Sequence, residues 1–161
     1  MIKAALGSTL FFFAAPCVVA GLIPWWISGW EDPAFWPAAL LIIAGLLVVV
    51  RAFIRFVREG HGTPAPIAPT ERLVIGGDFR FVRNPMYVGV VAIILGQALL
   101  FLDLALLGYA IAAWATMASF VRWYEEPVLR ERYGPQYDEY CKAVPAWIPR
   151  VRPWRRTDRP A

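Results

Sequence analysis

The sequence predicts an all-α polytopic membrane protein with four transmembrane helices. Three observations carry that prediction: apolar composition, uncharged windows and one-sided positive charge. Hydrophobic residues make up 59% of the 161, with eight tryptophans among them, a composition outside that of ordinary water-soluble domains. Residues 4–30 hold no charge, and 33–50, 85–102 and 104–121 are three further uncharged windows of eighteen. An eighteen-residue helix rises roughly 27 Å, close to the hydrocarbon thickness of a bilayer. Lys3, Arg51, Arg55, Arg58, Arg72, Arg80 and Arg83 fall on one side of these windows with nine Lys/Arg residues after position 121, whereas Glu31, Asp32 and Asp103 fall on the other. That bias places both termini and the 57–84 connector in the cytoplasm.

The first window is too long for a cleavable signal region and contains Pro16 and Pro24, so it reads as a retained helix, kinked or ending near Pro24. The second window runs into Arg51, Arg55 and Arg58. Gly60-His61-Gly62-Thr63-Pro64-Ala65-Pro66-Ile67-Ala68-Pro69-Thr70 is too rich in Gly and Pro for a helix and should run extended. Leu73-Val74-Ile75 and the turn Gly76-Gly77-Asp78 should sit against the headgroup region. Asn84 suits a helix cap and Pro85 a first turn, so the third helix starts immediately after Arg83. Asp103 alone separates the third and fourth windows, which demands a tight antiparallel hairpin with Asp103 at its outer turn.

In the 122–161 tail, Pro127 should begin a short helix ending at Gly134, and Pro135 another ending at Pro145. Tyr137, Tyr140, Cys141 and Val144 share one face of the second, opposite Asp138, Glu139 and Lys142. This face should lie on the membrane or on the protein's own cytoplasmic surface. Trp25, Trp26, Trp30 and Trp36 bracket the outer boundary, and Trp123, Trp147 and Trp154 the inner one. Together 1–161 reads as a single integral membrane domain.

Several function classes are disfavoured. The net charge of +4 and the terminal Arg152, Arg155, Arg156 and Arg159 are explained by anionic lipid and topology rather than nucleic acid. Cys17 and Cys141 form no disulfide framework, and no metal-ligand spacing is present. Neither G-x-G-x-x-G nor a P-loop occurs.

The chemistry-bearing residues cluster near the predicted inner edge. Glu125 and Glu126 can supply counter-charge to a bound cation, or simply favour the start of the helix opened by Pro127. Tyr87, Tyr133, Tyr137 and Tyr140 can offer aromatic faces to that cation, or serve as interfacial anchors. Arg83 can clamp a carboxylate or fix topology; Asn84 can hydrogen-bond a nucleoside or cap its helix. His61 is the only histidine and so a general-base candidate, although no sequence-local carboxylate orients it.

Gly77-Asp78-Phe79-Arg80-Phe81-Val82-Arg83-Asn84-Pro85-Met86-Tyr87-Val88-Gly89, with Glu125-Glu126-Pro127-Val128-Leu129 and Tyr133-Gly134-Pro135-Gln136-Tyr137-Asp138-Glu139-Tyr140, resembles the isoprenylcysteine carboxyl methyltransferase and phospholipid methyltransferase superfamily. The upstream Gly60-His61-Gly62 and Leu73-Val74 look like its compact prokaryotic members, which implies a prokaryotic inner or cytoplasmic membrane. The resemblance covers about residues 57–149. It implies S-adenosyl-L-methionine (SAM) bound between the last hairpin and the tail, with a lipophilic acceptor reached from the bilayer and no metal. It also implies cofactor contacts at Asn84, Tyr87, Glu125, Glu126, Tyr137 and Tyr140, a catalytic role for Glu126, and closing prolines at Pro145 and Pro149.

Arg83 is then the candidate to orient an acceptor carboxylate, a small lipophilic acid or a lipidated peptide. Ala143 departs from the arginine that prenylcysteine enzymes often carry there, leaving Lys142 or Arg150 to compensate. Phospholipid amine N-methylation and a noncatalytic membrane assembly or lipid-binding role are the alternatives. No obligatory protein partner is implied.

Overall fold

The computed structural model describes residues 16–29, 32–60 and 73–155, and every regular element among them is helical. Lys3, Trp30, Glu31, Arg72, Arg156, Arg159 and the connector from His61 to Thr70 lie outside the described residues. The helices are α1 (Ile23–Ser28), α2 (Ala39–Gly60), α3 (Pro85–Phe101), α4 (Leu104–Phe120), α5 (Glu126–Tyr133) and α6 (Pro135–Ala143), with π-turns at Val18–Leu22 and Val121–Glu125. Two stretches are long and apolar enough to cross a membrane, Trp36–Arg55 and Leu104–Tyr133; Val18–Ser28 and Pro85–Phe101 are shorter apolar helices.

Both π-turns precede a proline, and the reason is the same in each. Proline has no N–H to return to the carbonyl four residues back, and its ring presses on that carbonyl. One wider turn relieves the clash and keeps the helix going. Ahead of Pro24 the Ile23 N–H reaches Val18 O, and ahead of Pro127 the Glu126 N–H reaches Val121 O. The prediction that Pro127 opens a separate short helix is therefore corrected: α4 runs through Val121–Glu125 into α5 without leaving helical dihedrals. The local rule for proline at a helix start fails here because tertiary packing supports the continuation.

Around Pro24 two carbonyls lose their ladder donors. Val19 O would accept from Ile23, which bonds Val18 instead, and Ala20 O would accept from Pro24. Tyr109 Oη donates to Val19 O at 2.8 Å and Gln97 Nε2 to Ala20 O at 2.8 Å. In an apolar surrounding such groups must be satisfied internally, and these two side chains tie the first helix to α4 and α3.

The tightest packing is antiparallel, between α2 and α3. A Cβ built on Gly45 would stand 2.7 Å from Gly89 O, and one on Gly89 2.8 Å from Gly45 O. Further along, a Cβ on Gly96 would meet Ile42 Cγ1 at 2.6 Å. Small residues let the backbones touch, the usual geometry for helix pairs without a hydrophobic drive between them. Ala20, Val49, Val90, Ile94, Ala110 and Ala113 form the buried core beside this seam.

The expected hairpin is present. Leu102 adopts a left-handed conformation (φ 52°), closing α3, and the Asp103 carboxylate accepts from Ala105 N at 2.7 Å, capping α4. At the other end Gly134 (φ 52°) makes the sharp joint between α5 and α6. The apolar face of α6 packs on the protein itself: Tyr137, Tyr140 and Val144 are buried with Leu73, Ile75, Leu129 and Trp154. Leu73 and Ile75 thus seat against the tail, and Val74 joins Ala52 and Phe79 beneath Met86, where the sequence suggested a headgroup contact.

Candidate active site

The π-turn and α5 carry adjacent carboxylates that face different neighbours. Glu126 is the one buried charged residue among the described residues, 6% exposed. Burial of a carboxylate requires partners, and three guanidiniums supply them: Arg83 at 3.1 Å, Arg122 at 3.5 Å and Arg130 at 3.7 Å. Arg122 and Arg130 lie four residues either side of Glu126, one turn before and one after, so the unbroken helix stacks all three on one face. Arg83 comes from the turn before α3 and is nearly enclosed. It also donates to Cys141 Sγ at 2.6 Å, while its Nε is buried with no partner among the described residues.

Glu125 turns the other way and accepts from Tyr87 Oη at 2.6 Å. Asn84 does not cap α3 with its side chain; its Nδ2 donates to Ala146 O at 3.1 Å, across to the tail. Arg83 N–H to Pro145 O, Arg150 N–H to Phe81 O and Trp154 N–H to Arg80 O, each 2.9 Å, continue that pairing. The segment after α6 is thus strapped along the turn that precedes α3.

Tyr137 and Tyr140 are both buried. Tyr140 Oη donates to Phe79 O at 2.6 Å and its ring lies 5.7 Å from that of Trp154. Tyr137 lies under Arg130, whose guanidinium stands 5.9 Å from the ring centroid. Burial raises the pKa of both phenols, opposed by the positive charge of Arg83, so both stay protonated at physiological pH.

Between these elements lies an open cavity of about 580 Å³, whose charged lining is Arg83, Arg122, Glu126, Arg130, Asp138 and Lys142. Ala118, Val121, Ala146 and Trp147 form its apolar part. Four cationic side chains therefore face two carboxylates, leaving a cationic surplus suited to an anionic ligand group. Of the residues predicted from sequence, Arg83 and Glu126 line this cavity. Asn84, Tyr87, Glu125, Tyr137 and Tyr140 stand around it without forming its wall, and His61 lies outside the described residues. Lys142 is in the wall, whereas Arg150 donates to Ala143 O at 2.6 Å.

Sequence reasoning passed over Arg122, Arg130, Asp138, Cys141 and Trp147 as parts of this wall. The four-residue spacing of Arg122, Glu126 and Arg130 was the available signal, hidden once Pro127 was read as a break. Residues 33–136 match the family model described as phospholipid methyltransferase. The chain belongs to this family. It is 29% identical over 131 residues to protein-S-isoprenylcysteine O-methyltransferase B of Arabidopsis thaliana, and 26% over 132 residues to the A form from the same plant. Each alignment covers 79% of this chain and 61% of the relative, so the chain spans about three-fifths of their length. No solved structure gives a significant match. The matched stretch contains Arg83, Arg122, Arg130 and both glutamates, whereas Asp138 and Lys142 follow it, so this phospholipid methyltransferase family member keeps the three arginines around Glu126 inside the family region.

Proposed function

We infer that the chain is a SAM-dependent membrane methyltransferase that esterifies a lipophilic carboxylate. The observation that carries this reading is the cationic surplus in a cavity whose remaining wall is apolar. The names of the relatives support the methyl-transfer chemistry, and the prenylated cysteine in those names is an acceptor of this class. Four membrane crossings with both termini cytoplasmic fit the reading: α3, at 17 residues, rises about 26 Å, and the arginines gather at the end that bears Glu126.

The residues present suit SAM. The volume falls within the range of small-molecule sites, and the buried, unpartnered Arg83 Nε is a donor for a carboxylate. Glu126 in the cavity wall would supply negative charge to a bound sulfonium, with Glu125, Asn84 and Tyr87 standing behind that wall on the hairpin side. When bound, SAM supplies an already activated methyl group. Glu126 holds Arg83, Arg122 and Arg130 in one array, and that array orients an acceptor carboxylate. A carboxylate held by this array would present an oxygen that is already anionic to the methyl group that SAM would supply. No proton has to be removed.

Phospholipid amine methylation is the second reading, and one contact favours it. Glu125 is held by a neutral Tyr87 hydroxyl rather than a cation, leaving it able to accept a proton from an ammonium lipid. The two are separated by incubating membranes containing the protein with methyl-labelled SAM and a panel of lipophilic acids and amine lipids. Mild base then releases labelled methanol from an ester and leaves label on nitrogen. Released methanol is the expected result; retained label selects the amine, and the absence of any labelled product sinks both.

A further inference from the structure

We propose that Trp147 selects the acceptor by the shape of its lipid chain, a reading that rests on the methyltransferase assignment above. Trp147 belongs to the strap after α6 and is the aromatic part of the cavity wall. Its ring lies 6.3 Å from that of Tyr87 and 6.1 Å, edge-on, from that of Trp114. Tyr87 is bonded to Glu125 at the polar end. Trp114 stands on the apolar stretch Leu104–Tyr133 and is 44% exposed on its outer surface. One ring therefore joins the charged chamber to the lipid-facing side of α4.

Small residues leave the space a chain would need. Ala118 lies one turn from Trp114 on the same helix and Ala146 precedes Trp147 in the strap, and both line the cavity. An acceptor with its head among Arg83, Arg122 and Lys142 and its tail in lipid must pass this apolar wall. Trp147 is the largest side chain there, so its volume limits the chain's bulk. Asn84 acts as a positioning residue, because its bond to Ala146 O fixes the strap next to the ring. A tryptophan serving only as an interfacial anchor needs neither cavity exposure nor two aromatic neighbours on different helices.

The test uses the full chain in nanodiscs, with N-acetylcysteines S-alkylated by chains of graded length and branching as acceptors. Trp147→Ala should change the kcat/KM ratio between bulky and slender chains on the order of ten-fold, the scale of hydrophobic pocket discrimination, with KM for SAM unchanged. Trp147→Phe should shift the ratio part of the way, and it serves alone if the alanine variant does not insert. Trp123→Ala, which removes an exposed ring outside the cavity wall, should leave the ratio unchanged. An unaltered ratio in both Trp147 variants, or a uniform loss of rate with raised KM for SAM, overturns the proposal. If the wild type methylates none of these acceptors, the function assignment fails instead. A diazirine-tailed acceptor then decides the Trp147 contact separately: crosslinks at Trp147 or Trp114 uphold it, and crosslinks elsewhere remove it.

Discussion

At Val18–Leu22 and at Val121–Glu125 the chain meets a proline with the same π-turn, yet the carbonyls released face different surroundings. Around Pro24 both are met by the protein's own side chains, Tyr109 and Gln97. Around Pro127 the equivalents are the carbonyls of Arg122 and Trp123, and among the described residues no side chain donates to either. The first turn is sealed by buried donors. The second is set in a ring of charge beside an open cavity. A π-turn is therefore not itself the mark of a site; what its neighbours leave open distinguishes the two.

The largest effect should come from the charge at the second turn. Replacing Glu126 by Leu leaves the nearly enclosed Arg83 guanidinium without its carboxylate, and removing one partner of a buried ion pair costs about 3–5 kcal/mol. Thermal unfolding in mild detergent should show this as a large loss of stability together with loss of SAM-dependent transfer. Glu126→Gln keeps the shape and separates the roles, since it should fold better than the leucine variant yet still lose transfer. A glutamine variant with wild-type turnover would remove Glu126 from the reaction.

The sealed turn gives the intermediate case. Gln97→Leu leaves Ala20 O without its side-chain donor, and an unsatisfied buried acceptor costs about 1–3 kcal/mol; measured side-chain hydrogen bonds in membranes average about 0.6 kcal/mol. A destabilisation of about 1 kcal/mol with unchanged kcat is expected. Tyr109→Phe should act in the same direction at Val19 O. If either variant alters turnover more than stability, the first π-turn is functionally coupled and the contrast between the turns collapses.

Legibility in the sequence follows the range of the interaction. The hairpin, the Asp103 turn and the amphipathic face of α6 were readable because spacing along a few residues determines them. The proline rule misled at Pro127 because a helix start and a π-turn use the same local residues, and only packing decides between them. Arg83 and Glu126 could be named as candidates, but their contact joins residues 43 positions apart. Asn84 was readable as a cap or a cofactor contact, whereas its observed partner, Ala146 O, is 62 positions away. Burial of Tyr137 and Tyr140 followed from their helical spacing once the protein itself, rather than the membrane, was known to cover them.

The smallest stability effect, and the sharpest test of the second turn, comes from Arg122. Its side chain is 69% exposed and its contact with Glu126 Oε2 is long at 3.5 Å, so water screens the pair and Arg122→Ala should change stability by less than about 1 kcal/mol. The guanidinium nevertheless lines the cavity, where its charge adds to those of Arg83, Arg130 and Lys142. Attraction for an anionic acceptor should fall with its removal, so KM for a carboxylate acceptor should rise while the unfolding temperature scarcely moves. Because exposed charges are screened by salt, the difference between wild type and variant should shrink as ionic strength increases. Arg122→Lys should restore part of the affinity, since it returns the charge without the planar fork. An acceptor KM that ignores both the substitution and the salt would place Arg122 with Gln97 as a structural residue, and the cationic surplus would no longer describe how the cavity recognises its acceptor.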